Sequence, residues 1–116
     1  MDERLEKAYQ VVNYMATLSA QKRVIKEEFD QKLLHYVSGS TFRITPTLIN
    51  FTKTVIDLGH TTDVAFLDEN NLPVLIEDVQ IFFDTIVETY FQALNEYAIK
   101  TAAIKSKRSL ADITAL

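Results

Sequence analysis

Every glycine and proline of this chain, Gly39, Pro46, Gly59 and Pro73, falls between residues 39 and 73, so two flanks carry neither of the strong helix breakers. Flanks of that length permit helices longer than a 116-residue chain readily buries within itself. An elongated helical framework that meets partners is therefore the first expectation, built as a single helical domain over residues 1–116.

The first flank places Leu5, Ala8, Val12, Met15, Leu18, Ile25, Phe29, Leu33 and Tyr36 mostly three and four residues apart, which is helical spacing. Asp2, Glu3 and Glu6 favour a helix start by facing the positive end of the helix dipole. The spacing predicts one helix from Asp2 to Val37, ended by Ser38-Gly39-Ser40, where glycine supplies a left-handed cap. A stripe position falls on Lys22, so a split near residues 19–23 is the competing reading. At about 1.5 Å per residue the uninterrupted helix spans roughly 50 Å, against a radius of gyration of about 13 Å for a compact chain of this size.

Thr45-Pro46 is a helix start and Gly59 a stop, which predicts a second helix over Pro46–Leu58 with Leu48, Phe51, Val55 and Leu58 on one face, widened by Ile49 and Ile56. From Thr62 to Ile76 the pattern changes. Val64-Ala65-Phe66-Leu67 and Pro73-Val74-Leu75-Ile76 flank the turn-forming Asp68-Glu69-Asn70-Asn71, which predicts a small hairpin with Pro73 at an edge. The competing reading starts the third helix near Pro73, capped by Asn71. In the preferred one, Val79, Phe82, Phe83, Ile86, Tyr90, Leu94 and Tyr97 form the stripe of a helix running to about Lys105, and residues 106–116 form a flexible tail.

Charge is laid out unevenly. Residues 60–99 hold Asp63, Asp68, Glu69, Glu77, Asp78, Asp84, Glu88 and Glu96 with no lysine or arginine, while Lys100, Lys105, Lys107 and Arg108 follow against Asp112 alone. Acids early and bases late on one helix complement its dipole. The same layout also offers Asp63, Asp68, Glu69, Glu77, Asp78, Asp84 and Glu88 as an acidic surface for a basic protein partner. Direct nucleic-acid binding is not expected, because no basic stripe interleaved with aromatics is present and the net charge of −4 opposes phosphate.

Catalytic constellations are missing as well. The chain has no cysteine, which removes disulfides, thiolate zinc sites and cysteine nucleophiles. His35 and His60 belong to no metal-ligand spacing, and Asp68-Glu69-Asn70-Asn71 lacks the glycine and closing glutamate of a calcium loop, so it reads as a turn. Two glycines cannot build a phosphate loop. No catalytic, metal or cofactor site is expected. The longest wholly apolar runs reach only a few residues, far short of the roughly 18 to 20 that cross a bilayer, and the acidic Met1-Asp2-Glu3-Arg4-Leu5-Glu6 start is unlike a secretory signal. A cytoplasmic location is expected.

The run Phe42-Arg43-Ile44-Thr45-Pro46-Thr47-Leu48-Ile49-Asn50-Phe51, followed by Leu67-Asp68-Glu69-Asn70-Asn71-Leu72-Pro73-Val74-Leu75-Ile76-Glu77-Asp78 and Lys107-Arg108-Ser109-Leu110, resembles small uncharacterised proteins of large contractile-tailed phages, including those of cyanobacteria. The resemblance covers most of the chain and carries no catalytic motif. It implies a viral accessory, assembly or virion role, with the host cytoplasm as its place of action, and transfers no site residues.

The expected fold is mainly α: two long antiparallel helices, a short third helix and a small β-hairpin at one end. The expected function is a non-enzymatic interaction protein that forms a homodimer or joins another protein through Leu5, Val12, Met15, Leu18, Phe82, Ile86, Tyr90, Leu94 and Tyr97. The alternative is an acidic regulator or inhibitor docked on a host enzyme such as nucleic-acid machinery.

Overall fold

The computed structural model describes residues 2–115, with side chains as far as Lys107. The element order is α1 (Glu3–Lys32), β1 (Leu34–Val37), β2 (Ser40–Arg43), α2 (Pro46–Asp57), β3 (Thr62–Leu67), β4 (Pro73–Asp78) and α3 (Val79–Ala115). The protein is mainly helical, with the two long helices, short helix and β3–β4 hairpin that the sequence predicts, and with a second hairpin that it does not. The chain divides into two compact units: residues 1–29 with 95–116, and residues 30–94.

Helix α1 runs unbroken through residues 19–23. The Asp2 carboxylate caps its start by accepting from the Arg4 amide at 3.0 Å. It ends at Lys32, five residues before the predicted Val37. Leu34–Val37 instead pairs antiparallel with Ser40–Arg43, Val37 opposite Ser40 and Leu34 opposite Arg43. Ser38 at φ 50° and Gly39 at φ 79° form the two-residue turn, the left-handed pair that matches the twist of a tight hairpin. The Ile44 amide donates to Leu33 O at 2.7 Å and closes the hairpin base.

Helix α2 starts and stops where its residues say it should. Thr45 is extended, and its hydroxyl accepts from the Leu48 amide at 3.1 Å, with Pro46 in the first turn. Gly59 at φ 89° ends the helix, its amide reaching Ile56 O and the His60 amide reaching Val55 O, the paired bonds of a Schellman cap. The buried face is the predicted one in part: Val55 is buried and Leu48, Ile49 and Ile56 are half-buried as expected, but Phe51 and Leu58 are exposed and Thr52 is buried in their stead. Thr52 can lie inside because its hydroxyl donates to Leu48 O at 2.7 Å.

Strands β3 and β4 pair antiparallel, with Leu67 opposite Pro73, Ala65 opposite Leu75 and Val64 opposite Ile76. Residues 73–78 are therefore strand, and α3 follows directly, its start capped by Asp78, whose carboxylate accepts from the Ile81 amide at 3.0 Å. The helix continues to Ala115, ten residues past the predicted end near Lys105. The flexible tail predicted for 106–116 thus falls on its last turns, and its side chains beyond Lys107 lie outside the described residues.

The core of the 30–94 unit gathers around Phe82. Its ring centroid lies 5.3 Å from Phe42, 5.4 Å from Phe66 and 5.9 Å from His35. Ile44, Val79 and Ile86 are fully enclosed beside these rings, so both hairpins and α2 share one core with the first turns of α3. The Glu69 amide donates to Thr41 O at 2.8 Å and ties the two hairpins together.

In the other unit α1 and α3 run antiparallel. Phe29 stacks on Tyr97 at 4.7 Å, Lys100 bonds Glu28, and Thr17 and Lys107 line one groove. Among the described apolar side chains of this unit, only Leu18 and Ile104 are fully buried. Val11, Met15, Ile25 and Phe29 complete the inward line of α1 at half-burial.

Candidate functional site

The predicted seam residues divide between two fates. Phe82 and Ile86 are consumed by the 30–94 core. Met15, Leu18 and Tyr97 face the α1–α3 seam within the chain, and Tyr90 is half-buried. Leu5 and Val12 are exposed at 62% and 65%, with Tyr9 between them at 66%, a stripe four and three residues apart that turns away from the Val11–Met15–Leu18 line. Leu94 lies at the margin of exposure.

On its other flank the helix pair opens a groove of about 520 Å³. Thr17, Ala20, Gln21, Val24 and Ile25 line it from α1, and Lys100, Ala103, Ile104 and Lys107 from α3. Lys100 donates to Glu28 Oε2 at 2.9 Å and sits 2.8 Å from Glu96 Oε1, and these bonds, Glu96 first and Glu28 second, raise its pKa above the ordinary lysine value. Thr101 Oγ1, in the same helix, is buried without a hydrogen-bond partner.

The predicted acidic residues are largely occupied by their own fold. Asp68 is buried: one carboxylate oxygen accepts from the Asn70 and Leu72 amides at 2.8 and 2.9 Å and holds the β3–β4 loop. Glu69 accepts twice from the Arg43 guanidinium, at 3.1 and 3.2 Å. Asp78 caps α3, Asp84 accepts from Gln80 and Glu88 from Gln92 along the same helix. Asp63 and Glu77 are exposed, and Asp63 has φ 53° within its strand, a left-handed conformation that aspartate tolerates better than most residues.

One surface escaped the sequence reading. The inner face of β3–β4 buries Phe66, Val74 and Ile76, yet its outer face carries Ala65, Leu67, Pro73 and Leu75 to solvent, with Leu67 at 61% and Leu75 at 56% exposure. The signal lay in those strand runs, which are apolar on both faces where a half-wetted hairpin alternates. Ala65 and Leu67 also line a second groove, about 450 Å³, with Leu48 and Phe51 of α2 opposite and the Arg43–Glu69 pair beside them.

Burial lowers the pKa of His35, which is half-buried against Phe82. Among the described residues no group of three histidine, cysteine, aspartate or glutamate side chains is placed to hold a metal ion, and no helix is long and apolar enough to cross a membrane. Among the described residues, apolar side chains gather at the surface in the Leu5–Tyr9–Val12 stripe, the α1–α3 groove and the outer face of β3–β4, and others, such as Leu58, Ile81 and Ile99, are exposed elsewhere. Comparison with protein-family models, with curated proteins and with solved structures finds no match for this chain.

Proposed function

We propose that this chain is a non-enzymatic protein–protein interaction module that self-associates through the α1–α3 helix pair. The observation that carries the reading is the thin core of the unit formed by residues 1–29 and 95–116: among its described apolar side chains Leu18 and Ile104 alone are fully buried, while Leu5, Tyr9, Val12, Val24 and Ile99 stand exposed. Two helices in contact along one line bury too little apolar surface to offset the entropy of ordering them, and a second copy supplies the missing layer. A two-fold arrangement lets the same stripe serve both partners. The resemblance to contractile-tailed phage proteins makes an accessory, assembly or virion component the matching biological role. The second reading, an acidic regulator docked on a host enzyme, keeps the exposed carboxylates of Asp63 and Glu77, since Asp68, Glu69 and Asp78 already serve their own fold.

The natural absence of cysteine gives a clean test. Val12→Cys should oxidise rapidly to a disulfide-linked dimer at micromolar concentration, while Glu77→Cys should not. Equal, slow oxidation of both variants overturns the reading.

A further inference from the structure

We propose that the outer face of the β3–β4 hairpin is a docking surface for a cationic amphipathic helix of a partner protein. This goes beyond self-association, because the surface belongs to the other compact unit and carries a different chemistry.

A two-stranded sheet has two faces, and this one is apolar on both. Its inner face is covered by the 30–94 core; its outer face presents Leu67 opposite Pro73 and Ala65 opposite Leu75, with both leucines more than half exposed. The two exposed leucines sit diagonally across the strands, each opposite a smaller apolar residue, and Ala65 and Leu67 also line the groove with Phe51.

Size selects the shape of the occupant. Two strands about 4.8 Å apart, each of six residues, present a strip on the order of 10 Å by 20 Å. A single α-helix, about 10 Å across with its side chains, covers that strip with roughly 13 residues.

Charge selects its composition. Glu77 lies on the same side of β4 as Pro73 and Leu75, with Asp63 across the hairpin in the adjoining strand and both exposed. Residues 60–99 contain no lysine or arginine to neutralise them, and the nearest cation on the groove, Arg43, is bonded to Glu69. A second copy of the same face would bring carboxylate against carboxylate, which disfavours self-pairing there. A helix with an apolar stripe and flanking lysine or arginine satisfies the leucines and the acids together.

The test uses two fluorescent peptides of about 14 residues, one of leucine and lysine at amphipathic helical spacing and one of leucine and glutamate, titrated with the full chain at low ionic strength. The Leu/Lys peptide should bind and the Leu/Glu peptide should bind at least about tenfold more weakly. The double variant Leu67→Ser/Leu75→Ser should weaken the Leu/Lys peptide about tenfold or more, and Asp63→Asn/Glu77→Gln should weaken it and flatten its salt dependence. Ile99→Ser, in the helix pair, should leave it unchanged. Equal affinity for both peptides, or unchanged binding by the two hairpin variants, overturns the proposal. All these residues are exposed, so circular dichroism should report native folding throughout. Sedimentation of the hairpin variants separates the two ideas, since self-association through α1 should survive both.

Discussion

Lys100 joins α3 to α1 through Glu28, its ammonium 2.9 Å from Oε2 of that residue. The bond sits at the rim of the groove and shares its lysine with Glu96 on the same helix, so one cation anchors the helix pair where its apolar contact is thin. Both carboxylates raise the lysine pKa. The folded-state pKa therefore exceeds the unfolded value of about 10.4, and the stabilisation is complete below that pH and lost as pH rises through the folded pKa. Thermal melting between about pH 9 and pH 11 should show a steeper loss for the wild-type chain than for Lys100→Met.

Phe82 is in ring contact with Phe42, Phe66 and His35, which come from β2, β3 and β1. Phe82→Ala removes the ring that unites both hairpins with α3 and should cost about 3 to 5 kcal/mol in chemical denaturation. Phe91→Ala, at an exposed position of the same helix, should cost less than about 1 kcal/mol.

The β1–β2 turn makes a backbone prediction free of packing. A Cβ at Gly39 would meet nothing within 4 Å, but the residue has φ 79°. Gly39→Ala should therefore destabilise by about 1 kcal/mol through conformation alone. Ser38→Asn, at φ 50°, should be neutral or slightly stabilising because asparagine accepts that region.

His35 loses part of its hydration against Phe82, which holds its pKa below the ordinary value of about 6.5. The unfolded chain binds that proton more readily. Stability from this group is thus complete above about pH 6.5 and lost as pH falls through the folded pKa. Melting temperatures at about pH 7.5 and pH 5 should differ more for the wild-type chain than for His35→Leu.

Much of this architecture is legible in the sequence because the punctuation is unambiguous where Thr45-Pro46 starts a helix, Gly59 stops it and Asp68 opens a turn. The β1–β2 hairpin is not, for a physical reason: a left-handed glycine serves a helix cap and a tight hairpin turn alike, and Leu33 and Tyr36 happen to extend the helical spacing of α1. A single-residue ambiguity in a helical stripe also rotates the whole face, so Val11, not Val12, points at α3 and the exposed stripe follows from the same shift. On α2, Thr52 displaces Phe51 from the core because its hydroxyl is satisfied within the helix, which no hydropathy pattern records. The acidic bias is visible in the sequence, but which carboxylates stay free is not: Asp68 is buried because the amides of its own loop need an acceptor. The outer face of β3–β4 is written in the two-sided apolar runs, but a run of apolar residues does not say which of its two faces the helices cover.

If a second copy completes the α1–α3 pair, sedimentation equilibrium reports it as mass. The wild-type chain should sediment at twice its 13.3 kDa mass at micromolar concentration, and Leu5→Ser/Tyr9→Ser/Val12→Ser should return it to 13.3 kDa. A wild-type mass of 13.3 kDa that persists up to the highest soluble concentration would contradict it.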